Sequence, residues 1–325
     1  MNRRLITLAA ASAAAVVLAG CGTTEPAATS SAPADAKGIT LTDANGTKVK
    51  LDGPAKKVVG TEWDVVEHLV SLGVQPVGVA DVKGYTAWDA SAPLTGSPKD
   101  IGTRGEPSMD TVASLSPDLI VANTDLPAAA IKQLREIAPV LTIDSADSAD
   151  QIARMEGNLD LIAEATGTTD KAKELKTAFE AKVAEGKKAL TDAGLAGREI
   201  AFADGYVVSN QVSIRPYTGG SLIGNVNTAL GLKNAWTLQG DKDYGLGSTD
   251  VEGLSKLGDV EFAYIGNESE GTDPFKDDLA KNSVWKGLPF VKKGNVHQLA
   301  DGIWMFGGPK SMEAYIDAVV GALTK

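Results

Sequence analysis

The sequence predicts an α/β fold of two lobes, each built on a central, mainly parallel sheet, joined by one long rigid α-helix. Three observations carry this reading. Short β-branched runs recur with helical segments between them, the pattern of parallel sheet covered on both faces. That pattern occurs twice, once on each side of residues 151–193. Within the intervening stretch, Thr169 to Leu190 contains no proline and sets Leu175, Phe179, Val183 and Leu190 on one helical face. At about 1.5 Å per residue such a helix reaches across a small domain.

From the start of the chain, Arg3 and Arg4 precede an apolar stretch, Leu5–Leu18, that ends in Leu18-Ala19-Gly20-Cys21. It is short for a membrane span, which needs about 20 apolar residues, and fits a secretory signal over 1–20. The ending resembles a bacterial lipobox, in which Cys21 is acylated and anchors the mature chain to the outer face of the cytoplasmic membrane. Residues 21–37 lack aromatic, Leu, Ile and Val side chains and read as a flexible tether. The expected lobes are 38–150 and 194–325, with a helical segment over 151–193 between them.

In the first lobe, Lys57–Gly60 reads as a strand. A helix capped by Thr61 follows, with Trp63, Val66, Leu69 and Val70 on one side and Gly73 as its stop. Val77–Ala80, Asp118–Ala122 and Val140–Ile143 are further buried strands. In the second lobe Glu199–Ala203, Glu261–Ile265 and Val296–Leu299 repeat the scheme. Gly186 falls inside the joining helix, where it costs up to about 1 kcal/mol relative to Ala, and no local feature explains it. A faint repeat relates Ser108–Leu115 to Asp250–Leu257, each bringing one acid, Asp110 or Glu252, to a helix start, where the macrodipole favours it.

Charge and motifs narrow the function. The 31 basic and 42 acidic residues give −11, and no basic run exists to displace counterions from nucleic acid. The single cysteine excludes an intrachain disulfide. G-x-S-x-G, H-E-x-x-H, G-x-x-x-x-G-K-[ST] and G-x-G-x-x-G are all missing. His68, on the polar side of its expected helix, and His297, in an alternating strand, are too few and too scattered for a transition-metal cage. A binder is favoured over a catalyst, with no cofactor.

The scarce aromatics collect in expected loops at strand ends, where open α/β sheets take ligands. Tyr85 and Trp88 follow one strand, and Tyr206 and Tyr217 another, while Trp236, Tyr244 and Trp304 sit in Gly-rich loops. Trp285 is expected in the core. Arg104, in Gly102-Thr103-Arg104-Gly105, and Arg215, in Ser213-Ile214-Arg215-Pro216, offer guanidinium forks to anionic oxygens.

Several stretches resemble the ferric-hydroxamate binding proteins of bacterial ABC importers, over about residues 55 to 320. They include Val58-Val59-Gly60-Thr61-Glu62-Trp63, Tyr85-x-x-Trp88, Ile101 to Ser108 with its G-x-R-x-E-P block, Val284 to Val291, and Ile303-Trp304-Met305-Phe306-Gly307-Gly308. The resemblance implies two lobes on a helical backbone, a shallow cleft with small opening motions, and a monomer that delivers a ferric siderophore to a permease and its ATPase. It implies that Arg104 meets the iron-bound hydroxamate oxygens and that Trp88, Trp304 and Phe306 line the cleft. Phe306 stands where the enterobacterial hydroxamate binder has a tyrosine, and no aromatic stands near Asp125, where that relative has another. Asp110 and Glu252 match acids presented to permease arginines. The candidate ligand-binding set is therefore Trp63, Tyr85, Trp88, Arg104, Tyr206, Arg215, Tyr217, Tyr244, Trp304 and Phe306, with no metal ligand. Ferric citrate, haem or cobalamin are alternative ligands, and an envelope lipoprotein enzyme or a structural envelope lipoprotein are alternatives of other classes. The acidic balance predicts that neutral or cationic ferric hydroxamates associate faster than ferric citrate at low salt; stopped-flow traces with equal rates would refute this.

Overall fold

The computed structural model describes residues 38–209, 211–266, 271 and 273–325. The expected signal, Cys21 and the tether lie outside the described residues. Two antiparallel strands, β1 (Ile39–Thr42) and β2 (Lys48–Leu51), open the described chain and have no counterpart in the sequence reading. The first α/β unit then runs β3 (Val58–Gly60), α1 (Trp63–Ser71), β4 (Gly78–Val79), α2 (Val82–Trp88), β5 (Lys99–Asp100), β6 (Gly102–Thr103), β7 (Glu106–Pro107), α3 (Met109–Ser114), β8 (Leu119–Asn123), α4 (Ala128–Ile137) and β9 (Val140–Ile143). Its sheet is wholly parallel, in the order β5-β4-β3-β8-β9. All residues of β3, β8 and β9 are buried, which is why those segments read as unbroken apolar runs.

Two helices follow, α5 (Gln151–Thr166) and α6 (Thr169–Asp192). The second unit contains β10 (Glu199–Val208), β11 (Gln211–Pro216), α7 (Leu222–Ala229), β12 (Lys233–Asn234), β13 (Glu261–Ile265), α8 (Ser283–Gly287), α9 (Pro289–Lys293), β14 (Val296–Leu299) and α10 (Pro309–Leu323). Its sheet is mixed: β12 and β13 lie parallel to β10, β14 lies parallel to β13, and β11 is antiparallel. The strand expected over Glu199–Ala203 is therefore only the inner half of a long hairpin arm. The two acids of the repeat also differ in setting. Asp110 sits in the first turn of α3, whereas Glu252 precedes a four-residue 3-10 turn, Gly253–Lys256.

The long helix α6 serves both cores. Ala172 and Leu175 pack with Val58, Leu69 and Leu119 of the first unit. Phe179 and Leu190 pack with Ile200, Phe202 and Ile316 of the second, Val183 lying against them. Gly186 is buried because α6 meets α10 and α7 there: a Cβ would stand 2.8 Å from both Ile316 Cγ2 and Leu230 Cδ2. Close approach of packed elements, not backbone conformation, requires this glycine.

Gly186→Ala is expected to destabilise the protein, because overpacking costs about 1–3 kcal/mol against the roughly 1 kcal/mol that Ala gains in a helix. Gly157→Ala, on α5 with open space around it, is expected to stabilise by up to about 1 kcal/mol. Urea melts of the two variants should move in opposite directions, and a gain from Gly186→Ala would refute the packing account.

Candidate functional site

The carboxyl ends of β3, β8 and β9 release Glu62–Asp64, Asp125 and Ser145 at one edge of the first sheet, the place where open α/β sheets present ligands. These residues line a cavity of about 420 Å³ together with Trp88, Arg104, Asp204, Arg215, Tyr244 and the Trp304–Phe306 segment.

Glu62, not Thr61, caps α1, its carboxylate accepting the Trp63 N–H at 2.9 Å. The Trp63 indole donates to the Ala80 carbonyl at 3.2 Å, which fixes the ring. Arg104 lies in the turn between β6 and β7, with Gly102 at φ +100° where a side chain would be strained. Its guanidinium stands 4.1 Å from the Trp63 ring centre and 5.3 Å from that of Trp304, and its Nε lies 3.2 Å from Glu62 Oε1. Cation, ring and carboxylate thus hold one another in place.

The second unit builds a matching group. Arg215 on β11 is the cross-strand partner of Asp204 on β10. Two parallel bonds join them, one from Nε to Oδ1 at 2.9 Å and one from Nη2 to Oδ2. The Arg215 guanidinium stands 5.5 Å from the Phe306 ring centre. A line of edge-to-face rings crosses the floor: Trp63 to Trp304 at 4.8 Å, Trp304 to Phe306 at 5.1 Å, and Phe306 to Tyr244 at 5.6 Å. Tyr244 closes the line by donating its hydroxyl to Asp125. The position near Asp125, without an aromatic in its own segment, therefore receives one from the other half of the chain.

Seven of the sequence-derived candidates, Trp63, Trp88, Arg104, Arg215, Tyr244, Trp304 and Phe306, come together here. Three do not line the cavity. Tyr85 is fully buried on the inner side of α2, donating to the Ala92 carbonyl at 2.5 Å. Tyr217 is fully buried against Phe202 and donates to Asp204 at 3.2 Å, so it orients the Arg215 partner from behind. Tyr206 is carried outward by the hairpin arm and is 48% exposed. Asp110 and Glu252 are exposed, away from the lining.

Sequence reasoning missed the carboxylates Glu62, Asp64, Asp125 and Asp204. The signals for Glu62 and Asp64 were present in their place beside Trp63. Asp204 needed the β10–β11 register. It also missed a buried seam behind the cavity. Glu67 and His68 face inward on α1, not outward as expected for His68. Glu67 accepts the Ser311 N–H at 2.9 Å, and positions 307 and 308 are glycine where a Cβ would stand 2.0 Å from Glu67 Oε2 and 3.0 Å from His68 Nδ1, respectively. Burial holds the His68 imidazole neutral, lowered to about 4. Burial and the Glu67 charge push the Asp89 carboxyl up to about 10. Elsewhere His297 pairs with Glu261 at 2.7 Å, and Trp236 and Trp285 are core residues.

A profile of the periplasmic binding protein family matches residues 58–301. The chain belongs to that family. The Fe(3+)-citrate-binding protein YfmC of Bacillus subtilis (strain 168) is 29% identical over 324 residues, covering 96% of this chain and 94% of its own. The iron(3+)-hydroxamate-binding protein FhuD of the same organism is 29% identical over 319 residues, covering 95% and 94%. Among solved structures, the Fe3+-Desferal-bound siderophore-binding protein FhuD of Vibrio cholerae superposes with a TM-score of 0.74 at 27% identity, over 83% of this chain and 98% of that one.

The seam has a pH signature. Asp89 keeps its proton in the folded protein and loses it on unfolding, so its contribution is fully present below about pH 4 and is lost as the pH rises through about 10. Stability is expected to fall between pH 7.5 and 9.5, and Asp89→Asn to flatten that slope by about one proton. Chemical denaturation across the range checks this; an unchanged slope in the variant would show that another group titrates.

Proposed function

We propose that this protein is the exported, lipid-anchored substrate-binding component of an ABC importer, and that it captures a ferric siderophore, of the hydroxamate type, in the cavity between its lobes. The observation that carries the reading is the pairing of two ring-backed guanidiniums with a floor of aromatic rings around one cavity of about 420 Å³. A hydroxamate siderophore surrounds Fe(III) with its own oxygens. Its carrier needs apolar surface for the organic shell and hydrogen-bond donors for the partly negative oxygens, and this cavity offers both. Among the described residues no group of three His, Cys, Asp or Glu is arranged to hold a metal ion.

In this reading lobes 38–150 and 194–325 flank the helical segment 151–193. Arg104 and Arg215 meet the chelate oxygens, and Trp63, Trp88, Tyr244, Trp304 and Phe306 form the walls. Asp110 and Glu252, exposed on the two halves of the chain, present carboxylates to permease arginines. The acylated Cys21 and its tether keep the monomeric carrier at the outer face of the cytoplasmic membrane. The exchange of substrate is binding and release, with no bond made or broken.

A panel of ferric hydroxamates, ferric citrate, a ferric catecholate, haem and cobalamin, followed by tryptophan quenching, tests the ligand class. Quenching by haem or cobalamin alone would overturn the siderophore reading. Arg104→Ala is expected to weaken the ferric hydroxamate complex by about 1.5–3 kcal/mol, the range for charge-assisted hydrogen bonds. Unchanged affinity in that titration would remove Arg104 from the contact set.

A further inference from the structure

The charge of the cavity wall is unbalanced. Its two guanidiniums are each already matched by a carboxylate, Arg104 by Glu62 and Arg215 by Asp204. Two further carboxylates, Asp64 and Asp125, line the same wall, and among the described residues neither forms an ion pair with a basic group. Asp125 accepts the Tyr244 hydroxyl at the rim. Asp64 lies deeper, 4% exposed, and its carboxylate accepts the neighbouring Val65 N–H at 2.7 Å beside the Ser145 hydroxyl, with no basic group among the described residues paired to it.

A second feature of the wall points to a bound partner independently. Trp304 is 8% exposed and lines the cavity, yet its indole nitrogen has no hydrogen-bond partner. The site therefore holds a donor that lacks an acceptor and a buried acid that lacks a cation.

We infer that the cavity selects ferric siderophores bearing a protonated amine, and that Asp64 is the residue that reads that charge. The inference rests on the siderophore-binding reading and adds a charge class to it. Three hydroxamates balance the charge of Fe(III), so the chelate core is neutral and suits the aromatic floor. A pendant ammonium makes the complex cationic and supplies the missing partner for Asp64. A carboxylate-rich chelate would bring negative charge against four acids and only two arginines. Burial and the Glu62 charge push the Asp64 carboxyl up to about 7, a cost that a bound ammonium relieves.

One linear trihydroxamate tests this in three forms of its ferric complex: terminal amine free, N-acetylated and N-succinylated. Titrations by tryptophan quenching at one ionic strength are expected to rank them in that order, with the free amine at least about tenfold tighter than the acetylated form. In Asp64→Asn the ratio of those two affinities is expected to collapse to within about threefold. Asp64→Ser, which keeps an acceptor for the Val65 N–H, takes its place if the amide variant melts below the assay temperature. Equal binding of the amine and acetylated complexes by the native protein overturns the inference and leaves the siderophore reading standing. A full ratio retained in the Asp64 variant removes Asp64 from the role. Failure of every ferric hydroxamate to bind overturns both readings.

Discussion

The architecture of the site depends on one buried carboxylate. Glu67, on α1 of the first unit, accepts the N–H of Ser311 in the first turn of α10, which belongs to the second unit. The helix α10 has no side-chain cap of its own, and an anion at a helix N-terminus meets both unsatisfied N–H groups and the positive end of the dipole. The two halves of the chain are thereby joined by a charge-assisted bond in a place water does not reach. Gly307 and Gly308 let the backbone come close enough to form it.

That closure sets the position of the segment just before α10. Trp304 enters a cluster with Trp63, Val66, Val79 and Tyr85 of the first unit, while Met305 packs in the core of the second. Adjacent residues thus belong to different cores, and the aromatic floor spans the junction between them. The Ala90 N–H donates to Gly302 at 2.9 Å and pins the start of the same segment. Rings fixed in this way offer a ligand surface whose ordering cost is met during folding, before any ligand arrives.

The arginines illustrate a related constraint. A guanidinium free to swing would lose rotamer entropy on meeting a ligand. Here Glu62 and Asp204 hold the two forks from behind, and ring faces hold them from the side. Such partly buried pairs add little to stability after desolvation is counted. Their value lies in geometry: each fork keeps one direction in the cavity. The same arrangement leaves the wall acidic, because the carboxylates that aim the arginines also cancel them.

Much of this protein is legible in its residue order. The strands at 58–60, 119–123, 140–143 and 261–265 are buried on all or nearly all sides, and their β-branched runs announce it. The single apolar stripe of α6 gives its extent almost to the residue. Arg104 and Arg215 stand out because arginine is rare here and each sits in a short turn or edge strand. The partnerships were not legible. Tyr244 reaches Asp125 across 119 positions, and Glu67 reaches Ser311 across 244. Periodicity reports which face of an element is apolar, but not which distant element covers it. His68 therefore looked solvent-facing until α10 was laid over α1, and Gly186 looked arbitrary until Ile316 and Leu230 were beside it. Local preference in the sequence determined the elements and their order; long-range packing alone decided which aromatics face the cavity, and which carboxylate meets which arginine.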